Sequence, residues 1–268
     1  MRRARLDAEL VRRGLARSRG QAAEFVEAGR VLVAGQIATK VATAVGPDVA
    51  LVVAQAAGAE PDFVSRGGHK LAGALAVFAP SGLGIAGKRC LDAGASTGGF
   101  TDVLLRAGAA QVVAVDVGYG QLAWSLRTDE RVIVLDRTNV RDLTPELVGG
   151  PVDVVVGDLS FISLAVVLPA LIGVTTVRAD FVLMVKPQFE VGRSRVGAGG
   201  VVRDPALRES AVRSVAAAAS ECELGVLGVV ASPLPGPAGN VEYFLWLRAG
   251  AEPLDESELT RAVAEGPS

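Results

Sequence analysis

From Arg89 onward, short apolar runs alternate with stretches of helical spacing. RCLDAG (89–94), QVVAVDVG (111–118), VIVLD (132–136), DVVVGDLS (153–160) and FVLMVKP (181–187) read as strands, with helix-like segments such as Gly99 to Ala107 and Ser163 to Ile172 between them. Near-continuous Val, Leu and Ile marks strands buried on both faces, and their interleaving with helices predicts a parallel sheet covered on both sides. The end of the chain differs. GVLGVVASPL (225–234) and VEYFLWLR (241–248) are separated only by a Pro/Gly-rich loop, which predicts an antiparallel hairpin closing one edge.

The first sixty residues have another pattern. Leu10, Val11 and Leu15 recur at helical spacing around Asp7 to Gly14, and Ser18 is placed to cap a second helix ending near Gly29. VLVAGQIA turns at Ala34-Gly35, ALVVA (50–54) is a further strand-like run, and a loop around Gly46-Pro47 lies between them. Linker-like Ala56 to Pro61 follows. The expected organisation is a small α+β unit over residues 1–58, a linker over 59–66, an α/β domain over 67–250 and a tail over 251–268.

Composition narrows the classes. With 268 residues, 50% of them hydrophobic and 21% charged, the chain can bury a substantial core, which excludes disorder throughout. Cys90 and Cys222 are its only cysteines, so neither a disulfide framework nor a Cys-rich zinc site is expected. The basic start MRRARLDAELVRRGL has no apolar stretch behind it, unlike a secretory signal. Leu164 to Val177 is shorter than the roughly 20 residues a bilayer span takes. A soluble, cytoplasmic protein is the expectation. The net charge of −2 hides an asymmetry: residues 1–40 hold nine cations against four anions, a net +5, leaving −7 elsewhere. Such a split marks a polyanion-binding end on an ordinary globular body.

The chemistry-bearing loop is Asp92-Ala-Gly-Ala-Ser-Thr-Gly-Gly-Phe100, which follows a strand and opens a helix. Glycines there let backbone approach a ligand, and the helix N-terminus favours electronegative groups. Gly94, Gly98 and Gly99 do not have the G-x-G-x-x-G spacing of nicotinamide enzymes. Asp116 ends the next strand, placed to bind a ribose diol. An acid opening the loop, glycines within it and an acid ending the second strand resemble S-adenosylmethionine (SAM) methyltransferases. The candidate cofactor residues are Asp92, Gly94, Ser96, Thr97, Gly98, Gly99, Phe100, Asp116 and Asp158, with Thr138 and Asn139 after the third strand nearest to an adenine.

Four charged residues complete the pattern. Asp158 ends the fourth strand, Lys186 ends the fifth, Glu242 opens the last and Lys70 lies ahead of the first. In order and context these resemble the Lys-Asp-Lys-Glu tetrad of FtsJ-type ribose 2′-O-methyltransferases. The surrounding words SRGGHKL, LDAGASTGGFTDVLL, DVGYGQLAWSLR, DLSFISL, VKPQFEVG, GGVVRD and SPLPGPAGNVEYFLWL are similar to the TlyA family. The resemblance covers nearly the whole chain. It implies a class I SAM-methyltransferase fold, a doubly wound sheet with an antiparallel last strand, preceded by an S-four-type RNA-binding domain. It further implies SAM as cofactor and cytidine 2′-hydroxyls of 16S and 23S ribosomal RNA within ribosomal subunits as substrate, with no membrane and no protein partner.

The residue types suit that chemistry. A ribose hydroxyl is a poor nucleophile until a base takes its proton, and a lysine does so only when its pKa falls from about 10.4 toward neutrality. Arginine stays protonated. In a chain with 23 arginines and four lysines, two of the lysines occupy tetrad positions. By resemblance Lys186 is the base, Lys70 is a like charge that disfavours its ammonium form, and Asp158 and Glu242 orient the two lysines.

For RNA, the candidates are Arg2, Arg3, Arg5, Arg12, Arg13, Arg17 and Arg19 at the basic end, Arg66, and Arg193 and Arg195 in the loop VGRSRVGAGGVVRD. Some of the N-terminal set will be no more than a solvated helix face. Phe161, Phe189 and Tyr243 are candidate stacking partners for a flipped base. Trp124 and Trp246 read as packing residues, and His69, the sole histidine, has no second ligand that would make a metal site. Competing readings are an RNA-binding protein with a relic, non-catalytic methyltransferase domain, a nicotinamide oxidoreductase and a membrane-active haemolysin. The intact tetrad, the loop spacing and the lack of an amphipathic or spanning segment respectively count against them.

Overall fold

In the computed structural model, residues 4–16, 18–46, 49–53 and 62–267 are described. Arg2, Arg3, Arg17 and residues 59–61 of the expected linker lie outside them. The chain divides into two compact units, 1–62 and 63–268.

In the first unit, β1 (Ala4–Arg5) leads into α1 (Leu6–Arg12) and α2 (Arg19–Glu27), followed by β2 (Val31–Val33), β3 (Gln36–Ile37), β4 (Ala44–Val45) and β5 (Leu51–Val53). The hydroxyl of Ser18 accepts from Gln21 N at 3.1 Å, the expected cap. β2 and β3 form a hairpin whose two turn residues, Ala34 and Gly35, have φ of 49° and 83°, the mirror-image turn that matches strand twist. Leu6, Leu10, Ala22, Val26, Val31, Val45 and Leu51 form its core.

The second unit opens with α3 (Arg66–Phe78), then β6 (Arg89–Ala93), α4 (Gly99–Arg106), β7 (Gln111–Val115), α5 (Trp124–Arg127), β8 (Val132–Leu135), α6 (Pro145–Val148), β9 (Val152–Gly157), α7 (Leu164–Ile172), β10 (Thr175–Val185), α8 (Pro187–Glu190), α9 (Pro205–Glu221), β11 (Leu224–Ala231), β12 (Tyr243–Ala249) and α10 (Glu256–Ala264). Its sheet runs β11-β12-β10-β9-β6-β7-β8, parallel except for β12, which lies antiparallel between β10 and β11. This is the doubly wound sheet with an antiparallel last strand that the sequence implies.

Period-two alternation splits its side chains between two cores. Leu91, Val155, Phe181, Leu183 and Leu245 face one side, and Cys90, Val154, Val156, Val182, Phe244 and Trp246 the other. Each fully buried apolar side chain of this size contributes about 1.5–3 kcal/mol. The chain leaves β6 toward β7 and β8, then returns to β9 beside β6. At that reversal the carboxyl ends of β6 and β9 open a crevice, where ligands of such sheets bind.

Two expectations need correction, and one helix was not foreseen. Residues 251–268 are not a free tail, because α10 buries Leu259, Ala262 and Val263 in the first core. The stretch around Lys70 is a helix that the sequence pattern hid behind two glycines. Gly68 is required there, since a Cβ would come within 2.4 Å of Phe63 Cβ. Trp124 is not a packing residue: it stands 77% exposed on the one-turn helix α5, whereas Trp246 is buried and donates to Asp180 Oδ1 at 2.8 Å.

Candidate active site

Each tetrad residue is delivered by a different element. Lys70 lies on the face of α3 that also buries Leu71, Ala74 and Phe78. Asp158 follows β9, Lys186 follows β10 and Glu242 immediately precedes β12. All four line one cleft of about 310 Å³, together with Gly94, Phe100 and Ser160. The tetrad is thus assembled by the tertiary fold from positions 70 to 242.

It is built as two ion pairs. Lys70 Nζ donates to Glu242 Oε2 at 2.5 Å, with both side chains almost wholly buried. Lys186 Nζ lies 2.6 Å from Asp158 Oδ1. That contact has the charges and distance of an ion pair but not hydrogen-bond angles, since Asp158 Oδ1 has no hydrogen-bond partner. The directional bond from Lys186 Nζ goes to Ser160 Oγ, at 2.8 Å.

The glycine loop borders the same cleft. Gly94, at φ 87°, is the close approach: a Cβ there would sit 3.0 Å from the Asp158 carbonyl oxygen. Gly98, at φ 97°, packs under Leu126 and Leu122, and a Cβ at Gly99 would meet Ser65 Oγ at 2.3 Å. The Asp116 carboxylate accepts from Ser96 N at 2.8 Å and Gly118 N at 2.7 Å, which fixes the loop against the end of β7. Phe100 is mostly core, packed 6.0 Å from Phe244 between ring centroids, with one edge in the cleft wall.

A second cleft of about 540 Å³ shares Gly94, Ser96, Asp158 and Ser160 with the first and extends over Asp116, Gln121, Asn139 and Arg141. Asn139 caps a short turn, its Oδ1 accepting from Arg141 N at 3.0 Å. Beneath the loop, Asp92 is fully buried; Thr101 Oγ1 donates to its Oδ2 at 2.7 Å while Oδ1 has no partner. Burial pushes this carboxyl up to about 7, with the nearby Asp158 and Asp116 charges adding to the effect and the Thr101 hydrogen bond opposing it. An elongated cationic ligand with a ribose fits the walls of these clefts, which offer the Asp116 carboxylate, the glycine-loop backbone and the Asp158 carboxylate, whereas Asp92 lies beneath them and lines neither.

Several supports were not legible beforehand. Glu190 ties the loop after β9 to α8, accepting from Ser163 Oγ at 2.6 Å and Leu164 N at 2.9 Å. Buried Asn240 accepts from Val202 N at 2.9 Å and donates to the Gly200 carbonyl at 2.8 Å, tying the glycine-rich loop to the segment carrying Glu242. Asp102 accepts from Val64 N at 2.9 Å and pairs with Arg106. Such partnerships leave no periodic signal.

Among the RNA candidates, Arg66 stands at the mouth of the tetrad cleft and donates to the Pro235 carbonyl at 2.9 Å. Arg193 lines a third hollow of about 500 Å³ with Phe161 and Phe189, whose ring centroids are 5.1 Å apart, and Arg195 donates to the Val191 carbonyl at 2.7 Å. Phe161 is 90% exposed, but Tyr243 is fully buried in the sheet and offers no stacking face. In the first unit, Arg5 and Arg19 pair with Asp7, and Arg12 with Glu9. Arg13 departs from the expectation. Half-buried, it donates to Glu9 at 2.8 Å and to the Val49 carbonyl at 2.6 Å, so it locks α1 to a loop. Among the described residues no group of three His, Cys, Asp or Glu is placed to hold a metal, and no helix is long and apolar enough to cross a membrane.

A doubly wound sheet with this glycine loop and two lysine–carboxylate pairs at its switch point defines a methyltransferase. The chain belongs to the FtsJ-like methyltransferase family, whose model matches residues 63–249, and residues 4–50 match the S4 domain. It is 62% identical over 272 residues to the 16S/23S rRNA (cytidine-2′-O)-methyltransferase TlyA of Mycobacterium tuberculosis, covering 99% of each chain. It is 37% identical over 240 residues to Hemolysin A of Brachyspira hyodysenteriae, covering 89% of this chain and 97% of that one. A solved structure named as a hemolysin, from Streptococcus thermophilus, superposes with a TM-score of 0.73 at 37% identity, covering 99% of this chain and 96% of the other.

Proposed function

We propose that the protein methylates cytidine 2′-hydroxyls of 16S and 23S ribosomal RNA from SAM, in the cytoplasm where ribosomal subunits are found. The observation that carries this reading is the convergence of Lys70–Glu242 and Lys186–Asp158 on one cleft beside the glycine loop. In the proposed pose, Asp116 binds the cofactor ribose, Asn139 lies nearest the adenine, Gly94 to Gly99 carry the backbone close to the ligand, Asp158 faces its positive charge, and Asp92 acts on that charge only from beneath the loop, through the field of its buried carboxyl. When bound, SAM supplies a methyl group on a positively charged sulfur, which keeps the bonding pair when the methyl leaves.

The protein's own part is alignment and one proton. Lys186 takes the hydroxyl proton onto Nζ, and the carboxylate of Asp158 stabilises the ammonium that results. Lys70, held by Glu242 with both side chains almost wholly buried, presents its remaining N–H groups to the ribose oxygen and fixes its approach. Arginines of the S4 unit, with Arg66 at the cleft mouth and Arg193 and Arg195 in the loop after α8, hold the RNA backbone, which gives affinity but little base reading. Phe161 and Phe189 offer stacking faces for a base drawn out of its helix.

The test is methyl transfer from isotopically labelled SAM to ribosomal subunits lacking their modifications, with ribose methylation mapped nucleotide by nucleotide. A modified cytidine ribose supports the reading. Cofactor binding without incorporation into either subunit or naked ribosomal RNA contradicts the substrate, and no cofactor binding favours the relic reading. A chain without residues 1–58 is expected to bind cofactor and fail on subunits.

A further inference from the structure

Lys186 has two neighbours of different kinds. Asp158 Oδ1 is 2.6 Å from Nζ without hydrogen-bond geometry, whereas Ser160 Oγ, at 2.8 Å, accepts a directed hydrogen bond. Asp158 therefore supplies charge, and Ser160 supplies direction. We infer that Ser160 is a positioning residue for the reaction, aiming the lone pair of the Lys186 amine into the cleft. The inference rests on the proposed role of Lys186 as the base.

The stereochemistry of an amine makes such aiming necessary. A neutral Nζ has four tetrahedral positions, taken by Cε, two N–H bonds and the lone pair. Rotation about Cε–Nζ permutes the last three unless the surroundings distinguish them. Ser160 Oγ takes one N–H. The negative charge of Asp158, although outside hydrogen-bond geometry, repels a lone pair on its side of Nζ, so of the two remaining positions the lone pair occupies the one farther from it. Proton transfer then forms an N–H bond from that lone pair, and the electron pair of the broken O–H bond stays on the ribose oxygen. As Nζ becomes positive, its bond to Ser160 becomes charge-assisted and strengthens, so the serine favours the transition state over the ground state.

The placement of Ser160 is held from both sides. It lines both clefts, at their junction beside Gly94 and Asp158. The loop it sits on is anchored three residues later, where Glu190 takes the Ser163 hydroxyl and the Leu164 N–H. Phe161, next in sequence, has φ of 65°, a left-handed conformation costly for a bulky residue, and its ring is left almost fully exposed. The chain thus adopts an unfavourable turn directly after the residue that meets Lys186.

The experiment compares wild type with Ser160→Ala, Ser160→Thr and Lys186→Ala in full-length protein, measuring kcat and KM on undermethylated subunits, SAM affinity and melting temperature. Ser160→Ala is expected to lower kcat about ten- to a hundredfold, the loss of one hydrogen bond to a charged group, with KM, SAM affinity and melting temperature within about twofold or a degree or two of wild type. Ser160→Thr, which keeps the oxygen, is expected to recover most of kcat. A Ser160→Ala variant with wild-type kcat, a loss confined to KM or SAM affinity, or a well-folded Ser160→Thr as impaired as alanine would each overturn the role. An active Lys186→Ala would instead overturn the base assignment, so the two failures are distinguishable.

Discussion

The ammonium of Lys70 and the carboxylate of Glu242 meet at 2.5 Å with only 8% and 1% of their side chains exposed, across 172 positions of sequence. So buried a pair is costly to break from one side and cheaper to replace whole, because a single deletion leaves an uncompensated charge in the interior. Its stability and its chemistry can therefore be separated.

Glu242→Ala is expected to destabilise the methyltransferase domain by about 3–5 kcal/mol, lowering its melting temperature by about 6–20 °C. Lys70→Met combined with Glu242→Leu is expected to regain most of that loss and to remain inactive. Thermal unfolding and a methyl-transfer assay on the same samples check both halves. A double variant as unstable as Glu242→Ala would mean the pair itself, not the orphaned lysine, holds the site together.

Asp92 gives a pH signature. Its folded pKa is raised to about 7, mainly by burial, above the unfolded value near 4. Between those values the unfolded chain has lost a proton that the folded one keeps. The stability contributed is thus full below about pH 4 and is lost as pH rises through about 7. A cationic ligand favours the ionised carboxylate, so SAM affinity is expected to rise between about pH 6 and 8 with release of a proton, and Asp92→Asn is expected to flatten the dependence. Calorimetry in buffers of different ionisation enthalpy reads the proton directly. A pH-independent affinity with no proton exchange would contradict the link.

The S4 unit is expected to respond in the opposite sense. Hydrogen bonds from Arg5 hold Asp7 at about 2, and those from Arg12 hold Glu9 at about 2. Both folded values lie below the unfolded range, so the stability they bring is present above about pH 4 and lost as pH falls toward 2. Hydrogen exchange of the full chain along an acid titration should show this unit opening while the sheet of the second unit is still protected. Simultaneous opening would contradict the assignment.

The arginines of that unit divide by exposure. Arg13→Ala is expected to loosen the unit, because it removes the ties to Glu9 and the Val49 carbonyl. Arg12→Ala also gives up a pair with Glu9 and so costs the unit some of its resistance to acid, but the side chain is mostly exposed, and its loss is expected in addition to weaken RNA binding similarly for all sequences and to reduce the salt slope by about one. Binding isotherms at several salt concentrations distinguish them; an unchanged slope for Arg12→Ala would remove it from the phosphate contacts.

What the sequence made legible follows from where the signal lies. Asp158 and Lys186 end apolar strands, and Glu242 opens one, so strand pattern alone placed them at one edge of a sheet. Gly94, Gly98 and Asp116 were legible from a loop whose backbone demands glycine and whose next strand ends in an acid. Lys70 was found only through its surrounding words, because Gly67 and Gly68 disguise the start of α3, and glycine is needed there for Phe63 to pack. Ser160, Glu190 and Asn240 were missed because their bonds reach 26, 27 and 38 positions away to partners that only the folded chain brings near. The N-terminal charge was legible as a net excess of arginine, but not that Asp7 and Glu9 would be buried and claim several of those guanidinium groups.

In the proposed mechanism Lys186, beside Asp158 and within the cleft shared with Lys70 and Glu242, removes the ribose proton. The most direct measurement is single-turnover methyl transfer by Lys186→Ala on undermethylated ribosomal subunits, with SAM and subunit binding measured on the same protein. Near-normal binding of both ligands and loss of transfer are expected. Transfer at the wild-type rate would contradict that mechanism.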